Sequence, residues 1–273
     1  MSPRRVVLIA VAALLVSSAP APAQMLPWNN SGLAQGDAPP AFAPGPAPRR
    51  DLTGIWDAGG AGIGGPGHAA AAAPFTAEGK ERAAELKPGN GPRIVPVSEI
   101  NDPLSTLGDP AGFPRNLLFE LRPVQIVHTP NSVLMLYMFE KRWRTIWTDG
   151  RQLPKDPDPR WYGYSVGRWV DDTTFVVESV GMDERTWLDN AGHPHSASLR
   201  VEERYHRVNS NLLELTVTID DPVVYTKPWT PRNKLPLRLL PANTDLMEMI
   251  PSASEAQTAA EIYKASGTAE SGR

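Results

Sequence analysis

Leu199-Arg-Val-Glu-Glu-Arg-Tyr-His-Arg-Val208, the separator Asn209-Ser-Asn211 and Leu212-Leu-Glu-Leu-Thr-Val-Thr-Ile-Asp220 decide how this chain folds. Val201, Glu203, Tyr205 and Arg207 alternate with Glu202, Arg204, His206 and Val208, the period of two that marks a half-buried strand. Asn-Ser-Asn is turn chemistry. Strands joined this tightly must be antiparallel, since parallel neighbours need a crossover of a dozen residues or more. Working outward, Val124 to His128, Val133 to Phe139, Trp143 to Trp147, Val166 to Val170 and Thr174 to Ser179 repeat the β-branched and aromatic pattern. Thr129-Pro-Asn131-Ser, Asp149-Gly150 and Asp171-Asp172 punctuate them, and Arg232 to Pro241 offers a last strand. No helical pattern alternates with these runs. The fold expected is all-β, an antiparallel meander closing into a barrel, because closure removes exposed edges.

The flanks read differently. Residues 1–23 have the form of an export signal: Arg4 and Arg5, the apolar run Val6 to Val16, and Ala21-Pro-Ala23 as a cleavage site. That run of about 11 residues is too short to span a bilayer, which needs about 20. Residues 24–50 form a Pro/Ala-rich linker expected to be disordered, 51–241 a single β-rich domain, and 242–273 a polar tail with at most a short helix over Glu255 to Ala265. Within the domain, Gly59 to Ala73 reads as a Gly/Ala loop. Phe75 to Leu86 reads as one short N-terminal helix, capped by Thr76 and stopped by Pro88-Gly89.

The chain has no cysteine, so its stability rests on burial, and the expected compartment is periplasmic or extracellular. Net charge is −3, and loss of Arg4 and Arg5 with the signal gives −3 − 2 = −5. That balance argues against nucleic acid, whose binding needs clustered Lys and Arg. A small molecule is the expected partner, with no membrane span. The sequence leaves open the oligomeric state and any cofactor.

Several motifs are shared with known proteins. Arg144-Thr-Ile-Trp-Thr-Asp-Gly-Arg151, Gly163-x-Ser-x-Gly-x-Trp169, Trp187-Leu-Asp189, Gly192-His-Pro-His-Ser196, Val201-x-Glu-Arg204, Thr218-Ile-Asp-Asp-Pro222 and Tyr225-Thr-Lys-Pro-Trp229 resemble a widespread family of exported bacterial proteins. The resemblance spans Asp51 to Pro236 and implies no particular activity. Where that family carries a Cys near Gly112-Phe-Pro-Arg115, this chain has Leu107-Gly108, so no thiol or metal role rests there. Leu52-x-Gly54-x-Trp56 ahead of antiparallel strands is similar to the start of lipocalin-like (calycin) barrels. That likeness implies a Trp at one barrel end packed by a late Arg, here Arg204 or Arg207.

The candidate chemistry lies between the strands. His193-Pro-His195 puts two imidazoles on one side of an extended chain. They suit proton transfer, or a metal site completed by Asp189, Glu203 or His206; hydrogen bonding within a structural turn is the plainer reading. Glu203 on an inward face is a second acid or base, with Arg204 balancing its charge; a solvated ladder of ion pairs is the alternative. Gly163-Tyr-Ser165-Val-Gly167 matches a nucleophile elbow, but a hairpin follows where that motif needs a helix. Trp187, Trp169, Tyr205 and Trp229 suit an apolar or aromatic ligand. Two functions follow: an exported barrel binding a small apolar or aromatic molecule, or an acid–base enzyme (hydratase, isomerase or lyase) working inside the barrel. In the second, His193 and His195 transfer protons, Asp189 orients one of them, and Glu203 and Arg204 form a charged pair. A surface interaction module without a pocket is a third class.

Overall fold

A computed structural model describes residues 43–63, 73–250, 252, 254–258 and 261–262. The signal at 1–23, most of the 24–50 linker, the centre of the Gly59 to Ala73 loop and, within the tail's expected helix, residues 259, 260 and 263–265 lie outside these residues. Among the described residues no helix is long and apolar enough to cross a membrane.

Nine strands close into one barrel in chain order. They are β1 (Gly54–Asp57), β2 (Val124–His128), β3 (Ser132–Tyr137), β4 (Trp143–Trp147), β5 (Tyr164–Trp169), β6 (Thr174–Val180), β7 (Arg200–Asn209), β8 (Leu212–Asp220) and β9 (Trp229–Leu239). Every neighbouring pair is antiparallel except β4 and β5, which run parallel through only two residue pairs, Ile146 with Ser165 and Trp147 with Val166. β9 starts ahead of the expected Arg232, so Trp229 enters the ladder opposite Ile219.

Alternation sorts each strand into two faces. β8 buries Leu213, Leu215, Val217 and Ile219. Across it on β7 stand Arg207, Tyr205, Glu203 and Val201, and across those on β6 stand Phe175, Val177 and Ser179. These residues, with Trp56, Ile126, Met135 and Ile146, fill the interior. Each large apolar side chain taken out of water this way contributes roughly 1.5–3 kcal/mol. Gly167 faces inward on β5; a Cβ there would meet the Phe175 ring at 2.3 Å and Ile146 at 2.8 Å, so only glycine lets that ring cross the strand.

At one end the hairpin turns gather and Arg207 closes the structure. Its guanidinium lies 4.5 Å from the Trp56 ring centroid and donates to the carbonyls of Asp51, Asn209 and Ser210. Residues ahead of the barrel lie against this end, with Gly45 N donating to Ser210 Oγ and Arg49 pairing with Asp172.

The other end carries the long connections. Helix α1 (Gly60–Ile63) follows β1, and α2 (Ala77–Glu85) starts at Thr76, whose hydroxyl accepts from Gly79 N. Two single turns follow, α3 (Pro103–Thr106) and α4 (Arg115–Leu118). Phe113, Leu117, Leu118 and Leu121 are buried there against the core. The β6–β7 connection and the β8–β9 connection complete this end.

Candidate functional site

Two polar constellations sit toward the long-connection end. The first is built on Asp189-Asn-Ala-Gly-His193. Asp189 Oδ1 accepts from the backbone N–H of Ala191 at 2.9 Å and of His193 at 3.3 Å, which turns the chain. Gly192, at φ 73°, takes the left-handed step that turn requires. Arg93 pins the outside of the turn by donating to the carbonyls of Ala191 and Gly192.

The other carboxylate oxygen of Asp189 lies 2.8 Å from His193 Nδ1. A carboxylate accepts only, so Nδ1 carries the hydrogen and Nε2 of the neutral ring presents a lone pair. Nε2 makes no hydrogen bond among the described residues. Burial works to raise the Asp189 pKa, but the His193 contact and charge, with the two backbone N–H groups, bring it below the usual 3.8. The carboxylate therefore stays ionised.

Aromatic rings surround this imidazole. Phe75 stacks on it at 5.7 Å and Trp229 lies tilted at 5.7 Å, while Tyr225 bridges the two at 5.3 Å from each. Two buried donors nearby lack partners, Trp229 Nε1 on the ring beside His193 and Nε of Arg232, farther along the same strand. The rest of the Arg232 guanidinium donates to the carbonyls of Ala61, Gly62 and Leu118. Burial lowers the Arg232 pKa to about 10, against the pull of the Asp189 charge.

Asp221 ties the two connections together. It accepts from Ser196 N at 2.6 Å and Ser196 Oγ at 2.8 Å, and the Tyr225 hydroxyl donates to the Pro194 carbonyl at 2.8 Å. His195 belongs to this framework. Its Nδ1 lies 3.2 Å from the Ser196 carbonyl and its Nε2 lies 2.9 Å from the Thr186 hydroxyl, so both nitrogens are occupied. Burial depresses its pKa and keeps it neutral.

The second constellation lies inside the barrel. Arg144 Nη2 reaches Glu203 Oε1 at 2.8 Å and Oε2 at 2.6 Å, and the Tyr205 hydroxyl donates to Oε2 at 2.7 Å. The guanidinium also lies 4.0 Å from the Phe113 ring centroid. Burial and the Glu203 charge raise the Tyr205 pKa well above 10, and burial pushes Tyr137 up to about 12. Arg144 Nε and Nη1, the Tyr137 hydroxyl and both polar atoms of the Asn116 amide are buried without partners.

The structure thus joins Asp189 to His193 with Trp229 beside them, joins Glu203 to Tyr205, and separates the remaining expected residues. Glu203 faces inward, but its cation is Arg144. Arg204 points out to solvent, 3.7 Å from Glu202, because successive strand residues face opposite sides. Trp169 packs on Phe175 and His128 near the Arg207 end. Trp187 lies under Arg115, Tyr205 binds Glu203, and Trp229 stands beside His193. His206 is outside, hydrogen-bonded to Thr174, and among the described residues no group of three or more His, Asp or Glu side chains is gathered to hold a metal ion. The two histidines that extended geometry would aim at one ion are instead turned to different partners.

Arg144, Asp221, Tyr225, Phe75 and Arg232 are the site residues that sequence reasoning missed. Arg144 had a usable signal: it shares the parity of Ile146 on β4. The aromatic residues Trp143 and Trp147 on the opposite parity obscured which face was inward. Comparison with known proteins adds nothing to this geometry: no family model matches the chain, and neither a curated protein nor a solved structure matches it.

Proposed function

We propose that this protein is an exported acid–base enzyme acting on a small aromatic or apolar molecule, with His193 as its proton-transfer group. The observation that carries the reading is an imidazole held by Asp189 through Nδ1, with Nε2 free and aromatic rings on either side. Nε2 takes a proton from the substrate, and the Asp189 carboxylate stabilises the imidazolium that forms. The unpartnered N–H groups of Trp229 and Arg232 suit an oxygen on which negative charge develops. Return of the proton elsewhere on the substrate gives an isomerase; loss or addition of a group at the neighbouring carbon gives a lyase or hydratase. Such a base contributes typically 10²- to 10⁴-fold to rate.

A binding protein for the same kind of molecule is the second reading, favoured by the three rings around His193. The likeness to lipocalin-like barrels is supported by Trp56 beneath Arg207, although nine strands close here where lipocalins use eight.

The test is to incubate the full chain and a folded His193→Gln variant with a small-molecule extract in heavy water, and to follow both by mass spectrometry. Wild type should convert an aromatic or apolar component into a deuterated isomer, or a product differing by one water, and the variant should not. Equal conversion by both would remove His193 from the mechanism. A component that co-purifies chemically unchanged with both would favour the binding protein.

A further inference from the structure

The parallel junction of β4 and β5 leaves a second feature that the His193 site does not use. The chain leaves β4 at one end of the barrel and re-enters β5 at the other, so residues 148–163 must cross the outer wall. Between that crossover and the wall lies a cleft of about 320 Å³. Its aromatic walls are Trp143, Trp147, Tyr162 and Tyr164, and Trp143 is 66% exposed at the rim. Its charged residues are Arg144, Arg151 and Arg160, and no Asp or Glu lines it.

The cations are not equivalent. Arg151 lies flat on Trp147, 3.6 Å from the ring centroid, and is neutralised by Asp149 at 2.6 Å. Arg144 is neutralised by Glu203 on the inner side, with Nε and Nη1 unpartnered. Arg160 lies over the Tyr164 ring at 4.0 Å and has no ion-pair partner among the described residues. With two of three charges compensated, the cleft is left with one positive charge, in a chain whose net charge is −3. Guanidinium groups stacked on rings are already ordered, so little entropy is lost when they receive a planar group.

We propose that this cleft binds a planar aromatic monocarboxylate, with the ring system against the Trp and Tyr walls and the carboxylate facing Arg160. A dianion would exceed the uncompensated charge. A neutral analogue keeps the ring contacts and a hydrogen bond from the guanidinium to its carbonyl, but loses the ion pair and the bidentate contact that a carboxylate makes.

The experiment titrates the full chain with 2-naphthoate and with its neutral isostere 2-naphthamide, read by tryptophan fluorescence and calorimetry. Naphthoate should bind about tenfold more tightly than naphthamide, the factor that about 1.4 kcal/mol of binding free energy represents. Arg160→Gln, at an exposed side chain outside the barrel core, should remove that preference and leave naphthamide binding as it was. Trp143→Ala should weaken both ligands together. His193→Gln should leave naphthoate affinity unchanged. Failure of both ligands to bind, equal affinity for the two, or an undiminished preference in Arg160→Gln would overturn the proposal. Loss of naphthoate binding in His193→Gln with full retention in Arg160→Gln would move the ligand to the barrel end and overturn it as well.

Discussion

Replacing Glu203 by Gln tests the interior of the barrel most sharply. The change keeps the shape of the side chain and an oxygen for the Tyr205 hydroxyl, and removes the charge and one of the two acceptor oxygens that answer Arg144. Glu203 and Arg144 are both almost fully buried, so solvent cannot screen the loss. The guanidinium has no other acceptor in place, because its Nε and Nη1 are unpartnered and it packs on the Phe113 ring at 4.0 Å. Breaking a buried pair in this way costs about 3–5 kcal/mol. For a domain of this size each kcal/mol shifts the melting temperature by about 2–4 °C, so the expected fall is about 6–20 °C. Urea unfolding followed by circular dichroism measures the same loss as a lower midpoint with an unchanged slope. The double variant Arg144→Met/Glu203→Gln removes both charges and should regain at least half of the loss, since an apolar replacement is often neutral or better than a buried ion pair. A loss below about 1 kcal/mol for Glu203→Gln, or a double variant as unstable as the two single losses added together, would refute the pair as the organising contact of the interior.

Other perturbations address the remaining elements. Arg207→Ala should cost about 2–4 kcal/mol by freeing three carbonyls and uncovering Trp56, and Arg207→Lys should fail to restore it, because an ammonium cannot span three acceptors and stack; thermal melts of the three proteins decide this. Gly167→Ala should lose about 1–3 kcal/mol by driving a methyl group into the Phe175 ring, and Phe175→Leu in the same chain should recover part of it on chemical denaturation. Burial depresses the His195 pKa below 6.5, so the neutral ring contributes stability that is complete above pH 6.5 and is lost as pH falls toward the folded-state value. The urea midpoint should therefore drop between pH 7.5 and 5.5, and His195→Gln should flatten that drop. Asp189, held below 3.8, should add its own loss only at more acid pH.

The strands were legible because their signal is local. Val201 to Arg207 shows its period without any knowledge of its neighbours, and turn residues mark where each strand stops. What stayed hidden depends on distant parts of the chain. The partner of Glu203 lies on β4, and choosing Arg144 over Arg204 requires knowing that two strands far apart in sequence face one interior. The pair Asp189 and His193 was within reach because a carboxylate four residues ahead of a histidine can close a turn and hold its ring. The different orientations of His193 and His195 were not, because Asp189, Thr186 and the Ser196 carbonyl decide them after the chain has bent. The cleft beside β4 has no sequence signature: it exists because a crossover passes over a wall.

That crossover follows from arithmetic. Around a closed ring, strand directions can alternate throughout only if their number is even, and this ring has nine. One neighbouring pair must therefore run the same way, whatever the side chains. The sequence decides only where the mismatch falls, and here it falls between β4 and β5, where two residue pairs hold the wall together. Such a junction acts as a built-in slit. The ring divides there into a group of four strands and a group of five, rejoined by the antiparallel contact of β1 with β9. Amide protons along Trp143 to Trp147 and Tyr164 to Trp169 should exchange ahead of those in β7 and β8, and a molecule entering through the wall would part as few hydrogen bonds here as at the equally short contact of β1 with β9.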